Sequence, residues 1–250
     1  MENLLDKANK IVVKVGTAGI TTDSKINSKI IANLAKCCHE LRMQGKCVTI
    51  VTSGAIASGK RKLHTSLEGS LVEKQVYAAV GQPLLMQEYI LEFGKYGVNI
   101  AQFLVTKNDF VNKERFKILY GSYNKTLEKG VVPVFNENDT LATREIKFSD
   151  NDELEALITT RLGQDLMVNL IIHDGLLKDG EIVETADSYS QEDYDNIKNE
   201  MREGRGGLQK KLDAIKMAND AGKICRIGNA AKSIIGILQG KVLSTTFYPH

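Results

Sequence analysis

Four short segments of this 250-residue chain bring together residue types that chemistry needs: Lys14-Val-Gly-Thr17, Ser53-Gly54-Ala55, Asn138-Asp139 with Asp150-Asn-Asp152, and Gly204-Arg-Gly-Gly-Leu-Gln-Lys-Lys211. In the last, glycines just ahead of a helix let backbone N–H groups approach an anion, and a helix N-terminus carries about +0.5 of an elementary charge. Lys210 and Lys211 fall in the expected first turn, where cations oppose the helix dipole. A bound phosphate removes that conflict; solvated lysines in an ordinary loop are the plainer alternative. Lys14 stands between the apolar Val13 and Val15, so its side chain leaves one face of a strand near the carboxyl end. From there it either reaches a phosphate across the turn at Gly16 and Thr17 or snorkels to solvent. Asp150, three residues before Glu153, reads as a helix cap, and Asn138-Asp139 reads as turn chemistry. Taken together, two lysines, two glycine turns and a set of carboxylates are what phosphoryl transfer uses. Lysines neutralise the phosphate oxygens, and carboxylates orient the lysines or Mg²⁺.

Competing chemistries find little to build on. Gly54-Ala-Ile-Ala-Ser-Gly59-Lys60 follows a strand and approaches the P-loop pattern, but Arg61 stands where a Ser or Thr holds Mg²⁺. GxGxxG, HExxH and GxSxG do not occur, and His39, His64, His173 and His250 lie in unrelated contexts, so no protein-held metal is expected. Cys37, Cys38, Cys47 and Cys225 lack CxxC spacing, which argues against zinc and for reduced thiols in a cytoplasmic location. With 33 basic and 31 acidic side chains the net charge is +2, too small to draw the chain to nucleic acid or anionic lipid. No stretch approaches the roughly 18 uninterrupted apolar residues of a membrane span.

The elements that must position these residues alternate. Lys10 to Val15 is a β-branched run that ends in a glycine turn; Ile26, Ile30, Leu34, Cys38 and Leu41 recur at helical spacing until Gly45. Cys47 to Thr52 reads as a second strand, followed by a glycine-bounded turn from Ser53 to Gly59 and a helical stretch that Gly81 and Pro83 interrupt. Ile100–Val105, Lys113–Lys129 and Val131–Phe135 continue as strand, helix and strand; Asn151–Leu162, Leu166–Ile172, a helix opened by Gly204–Gly207, and Ile224–Gly228 complete the pattern. Strands separated by helices predict an α/β fold, a three-layer α-β-α sandwich with a mainly parallel sheet. Ligands in such sheets sit outside the carboxyl ends of the strands, where the polar and glycine segments fall. No linker is visible, so residues 1–250 are expected to form a single domain.

These segments resemble the amino-acid kinase family, and within it the glutamate 5-kinases, over nearly the whole chain. The pieces that carry the resemblance are Val12-Val-Lys-Val-Gly-Thr17, Val51-Thr-Ser-Gly-Ala-Ile-Ala57, Ala78-Ala-Val-Gly-Gln82, Val131-Val-Pro-Val-Phe-Asn-Glu-Asn-Asp-Thr140, Asp150-Asn-Asp152 and Gly204 to Lys211, in the family's order. The resemblance implies transfer of the ATP γ-phosphoryl group, with Mg²⁺, to the side-chain carboxylate of L-glutamate on the route to proline. It implies that Lys14 and Lys211 contact the transferring phosphate and that Asp150 holds those lysines. Ser53, Asp139 and Asn151 would bind glutamate. Gly16, Thr17, Arg205, Gly206 and Gly207 would join Lys14 and Lys211 at the nucleotide. A homo-oligomer and feedback by proline are further implications; with the sequence ending at His250, the C-terminal RNA-modification-type domain that many members carry is not expected. The chain departs from the family pattern at Ile171-Ile172, where Thr-Asp is usual near the nucleotide base, at Arg205 in place of Thr, and in a shortened stretch after Leu177. A kinase-fold sensor without turnover, or a kinase of another small carboxylate, carbamate or phosphate acceptor, are the alternative readings.

Overall fold

The computed structural model describes residues 1–22, 25–65, 69–143, 148, 150–178, 181–186 and 205–249. In chain order the elements are β1 (Lys10–Val15), α1 (Thr17–Ile20), the hairpin β2 (Thr21–Thr22) and β3 (Lys25–Ile26), α2 (Ser28–Met43), β4 (Cys47–Val51), α3 (Ala55–Lys62) and α4 (Leu71–Gly94). They continue with β5 (Ile100–Val105), α5 (Lys107–Val111), α6 (Lys113–Glu128), β6 (Val132–Glu137), α7 (Asn151–Arg161) and β7 (Leu166–Ile171). Last come β8 (Leu177–Lys178), β9 (Glu181–Ile182), β10 (Thr185–Ala186), α8 (Arg205–Asp220), β11 (Ile224–Asn229), α9 (Ile234–Leu238) and β12 (Ser244–Phe247). Among the described residues, eight strands form one sheet in the order β10-β12-β11-β7-β1-β4-β6-β5. Its neighbours run parallel except β11 and β12, which pair antiparallel.

The period-two alternation of β1 divides its side chains between two cores. Ile11, Val13 and Val15 pack with α2, α4 and α9, whereas Val12 enters the opposite core with α6, α7 and α8. Lys14 has the parity of Val12 and therefore faces α7 and α8. In β7, Leu166, Val168 and Leu170 join the first core and Met167 the second, which sends Asn169 to the same side as Lys14. Each buried aliphatic side chain contributes roughly 1.5–3 kcal/mol, and four such residues of β1, Ile11, Val12, Val13 and Val15, anchor the strand that carries the buried Lys14.

Two expectations about the region after β4 are corrected. Ser53 to Gly59 is not one turn: only Ser53-Gly54 turns, and Ala55 begins α3. Gly81 and Pro83 do not interrupt the next helix, since α4 runs through both for 24 residues from a capping box between Ser70 and Glu73. Gly59 and Gly81 serve the contact between helices. A Cβ on Gly59 would stand 1.8 Å from the Tyr77 carbonyl oxygen, and one on Gly81 would stand 1.8 Å from that of Ala55. Pro83 withholds an N–H from the carbonyl of Ala79, an exposed residue whose oxygen water can serve. A third correction concerns α8. It has begun by Arg205, so Lys210 and Lys211 occupy its second turn, where the dipole opposes them less.

Candidate active site

The two lysines meet on one carboxylate. Lys14 Nζ donates to Asp152 Oδ1 at 2.7 Å, and Lys211 Nζ donates to the same oxygen at 2.8 Å. Asn169 completes the group: its Oδ1 accepts from Lys211 Nζ at 2.7 Å, and its Nδ2 donates both to Asp152 Oδ1 and, at 2.8 Å, to Glu155 Oε2. Lys14 comes from β1, Asn169 from β7, Asp152 and Glu155 from successive turns of α7, and Lys211 from α8. The lysine and Asp152 side chains are nearly buried, at 7%, 11% and 7% exposure for Lys14, Lys211 and Asp152. Gly16 borders the group, because a Cβ there would lie 3.6 Å from Lys14 Nζ.

Electrostatics follow from this crowding. Burial by itself raises the Asp152 carboxyl, but the two ammonium groups outweigh it and hold the carboxyl at about 2. Burial also works against the charge on Lys14, yet Asp152 and Glu155 keep its affinity for a proton above the usual lysine value. Lys211 is lowered, by burial and by the charge of Lys14. The unlike directions fit one carboxylate shared by two cations.

The sequence expectation that Asp150 holds the lysines is corrected: that position belongs to Asp152. Asp150 caps α7 instead, its Oδ1 accepting from the backbone N–H of Asp152 at 2.9 Å and of Glu153 at 3.3 Å. Its other oxygen lies 4.0 Å from Lys210 Nζ. Burial and the nearby charge of Asp152 raise its pKa.

Beside the lysine group opens a cleft of about 410 Å³ lined by Thr17, Ser53, Gly54, Lys60, Asn136, Glu137, Asp139, Asp150 and Asn151 with Ile56 and Ala57 of α3. All three residues expected to bind an acceptor, Ser53, Asp139 and Asn151, are in it. Asn151 Nδ2 reaches the Thr52 carbonyl at 2.7 Å, Ser53 Oγ at 2.8 Å and Asn136 Oδ1 at 2.9 Å, tying the ends of β4 and β6 to α7. Gly54 turns the chain between β4 and α3 with φ of +98°, a conformation that a side chain resists. A larger hollow of about 500 Å³, between Lys25, Arg61, Lys62 and Glu88, holds none of the lysine group. Thr17 lines the cleft, and Arg205, Gly206 and Gly207 form the first turn of α8. Gly204 lies outside the described residues.

Sequence reasoning missed Asn169 and Glu155, and it met Asn136, Glu137 and Lys60 only inside motifs without giving them a place in the site. Asn169 had a signal, a lone amide within the apolar run Leu-Met-Val-Asn-Leu-Ile. Glu155 follows Asp152 by three residues, which on a helix places both on one side.

A mainly parallel sheet whose strand ends gather paired cations beside a polar cleft is the architecture of an α/β enzyme that handles phosphate. The chain belongs to the amino acid kinase family, whose model matches residues 9–229. Within that family it is similar to the glutamate 5-kinase of Caldanaerobacter subterraneus subsp. tengcongensis, 36% identical over 252 residues that cover 96% of this chain and 68% of the relative. The glutamate 5-kinase of Geobacter metallireducens is 36% identical over 262 residues, covering 98% of this chain and 69% of the relative. Among solved structures, a carbamate kinase from Giardia lamblia bound to AMP-PNP superposes with a TM-score of 0.66 at 15% identity, covering 97% of this chain and 99% of that one. A UMP kinase from Ureaplasma parvum gives 0.64 at 15% identity, covering 96% and 99%. Likeness at that identity speaks for the fold alone. Among the described residues, no helix is long and apolar enough to cross a membrane.

Proposed function

We propose that this chain transfers the γ-phosphoryl group of ATP to the side-chain carboxylate of L-glutamate, giving glutamyl 5-phosphate. The observation that carries the reading is the dipeptide Asn151-Asp152. Asn151 faces the polar cleft and Asp152 faces the lysine pair, so two half-sites meet at the start of one helix. The glutamate 5-kinase names of the relatives support the acceptor and weigh against a sensor without turnover.

The chemistry asks little beyond this. A glutamate carboxylate with a pKa of about 4.3 is ionised at neutral pH and needs no general base. What remains is to bring two anions together. Lys14 and Lys211 offset the phosphoryl charge, each worth on the order of 3 kcal/mol by analogy with oxyanion-hole donors. Asp152 keeps the two ammonium groups paired until the phosphate arrives. Asp139 suits the substrate ammonium and the Ser53 hydroxyl suits a substrate carboxylate as donor; Asn151, whose amide donates to Thr52, Ser53 and Asn136, is assigned to hold that hydroxyl and to exchange one of these acceptors for the substrate. Gly16, Thr17 and the first turn of α8, with Arg205, Gly206 and Gly207, are assigned to the nucleotide phosphates.

Mg²⁺ belongs to this reading as part of the nucleotide. Asp152 already serves two lysines and Asp150 caps a helix, and among the described residues no cluster of three His, Cys, Asp or Glu side chains forms. These carboxylates do not fit a protein-held cation, so no step is assigned to one. A cytoplasmic location, a homo-oligomer and proline feedback also belong to this reading; the oligomer is supported by exposed apolar residues along α4, Val72, Val76, Ile90 and Leu91.

The test is to incubate the protein with ATP, Mg²⁺, glutamate and hydroxylamine and to measure γ-glutamyl hydroxamate. Product is expected with glutamate and not with other acceptors. No product above a Lys14→Ala control refutes the reading.

A further inference from the structure

Beneath the lysine pair lies a carboxyl that the transfer chemistry does not use. Glu155 is wholly buried. Its Oε2 accepts from Asn169 Nδ2, and among the described residues its Oε1 has no hydrogen-bond partner. Titratable and polar groups face it from four other elements, Lys14 on β1, Asn169 on β7, Lys211 on α8 and Cys225 on β11, with Asp152 one turn earlier on its own helix.

Two physical consequences follow. A buried carboxylate with an orphaned oxygen is far more costly than the neutral acid. Burial accordingly raises the pKa of Glu155 to about 8, Lys14 and Lys211 pulling it down and Asp152 pushing it further up. The second consequence concerns Asn169. Both acceptors of its amide nitrogen, Asp152 and Glu155, lie on one side, which leaves its oxygen to face Lys211. With Glu155 neutral, Lys14, Lys211 and Asp152 leave one net positive charge. With Glu155 ionised, the group is neutral and attracts a phosphoryl group less.

We propose that Glu155 is a positioning residue that works in its protonated form: its carboxyl fixes the Asn169 amide so that Oδ1 receives Lys211, and its neutrality leaves the lysine group one net positive charge for the phosphoryl oxygens. The inference rests on the kinase reading of this site. It ties an alkaline loss of transfer to ionisation of Glu155.

The experiment compares wild type, Glu155→Gln and Glu155→Ala in the hydroxamate assay from about pH 6 to about pH 9.5, with melting curves confirming that each variant is folded. Gln keeps the acceptor for Asn169 and stays neutral. The expected results are a kcat loss of about tenfold or more in the Ala variant, rescue by Gln at neutral pH, and an alkaline fall in the Gln variant that vanishes or moves up by about one pH unit. A Gln variant as impaired as Ala at neutral pH means that the carboxylate charge is needed, which overturns the proposal. An alkaline fall at the same or lower pH assigns the proton to Lys211 and overturns it too. If wild type makes no hydroxamate, the kinase reading fails, and calorimetric ATP affinity across the same pH range decides the inference. A fall in wild type that Gln removes supports the charge-setting role, and parallel profiles refute it.

Discussion

Replacing Asp152 with Asn removes the charge that two buried ammonium groups share while keeping the shape of the side chain. In the native protein Lys14 and Lys211 both donate to Oδ1 of this residue, at 2.7 and 2.8 Å. The amide of Asn still offers an oxygen, but Lys14 and Lys211 then face each other with their mutual repulsion uncompensated. Breaking a buried ion pair from one side costs about 3–5 kcal/mol, and the retained acceptor puts this variant near about 3 kcal/mol. For a chain of this length each kcal/mol lowers the melting temperature by about 2–4 °C, so a fall of about 6–12 °C is expected. The native carboxyl, at about 2 against an ordinary 3.8, supplies an independent check. Its pKa is depressed on folding, so its stabilisation is present above 3.8 and lost as pH falls towards 2. That stabilisation is on the order of 2 kcal/mol, and the Asn variant must lack this acid-range decline. Circular-dichroism melts at several pH values measure both quantities. Asp150→Ala is the control, because loss of a helix cap costs only about 1 kcal/mol. ATP should raise the melting temperature of Asp152→Asn more than that of wild type, since phosphate oxygens replace the missing partner. An Asp152→Asn variant that melts within about 2 °C of wild type, with the control falling further, refutes the assignment of the lysines to Asp152.

Further expectations concern the cleft. Gly81→Ala drives a Cβ to within 1.8 Å of the Ala55 carbonyl oxygen, a backbone atom that cannot rotate away. The helices α3 and α4 must separate, with a loss of about 3 kcal/mol or more in urea unfolding and a higher glutamate KM, because α3 lines the cleft. Asp139→Asn should raise the glutamate KM by about 10- to 100-fold through loss of one charged hydrogen bond of roughly 1.5–3 kcal/mol. A KM for glutamate that stays at the wild-type value argues that the substrate ammonium binds elsewhere.

The alternation of elements and the direction of Lys14 are legible in the local sequence. Hydrophobic periodicity is local, so β1, α2, β4, β5, α6, β6, α7, β7 and β11 could be read with small shifts at their ends. The parity of Lys14 with Val12 likewise follows from the pleat alone. Pairing of strands β11 and β12 and passage of α4 through Gly81 and Pro83 could not be read this way, because packing between distant segments overrides local propensity. The same reason explains why Asp150 was expected where Asp152 stands. Asp150, at the extended cap position, turns back to the helix's own N–H groups, and consecutive helical residues point about 100° apart, so Asn151 and Asp152 aim at a cleft and a lysine pair in turn. Their division of labour depends on the rotation of α7 against the sheet, set by the burial of Leu154 and Ile158 against the second core. Residue types near the strand ends were thus enough to name the chemistry. Long-range packing selects which carboxylate joins lysines 197 positions apart in sequence, and it places Asn169 and Glu155 beneath them.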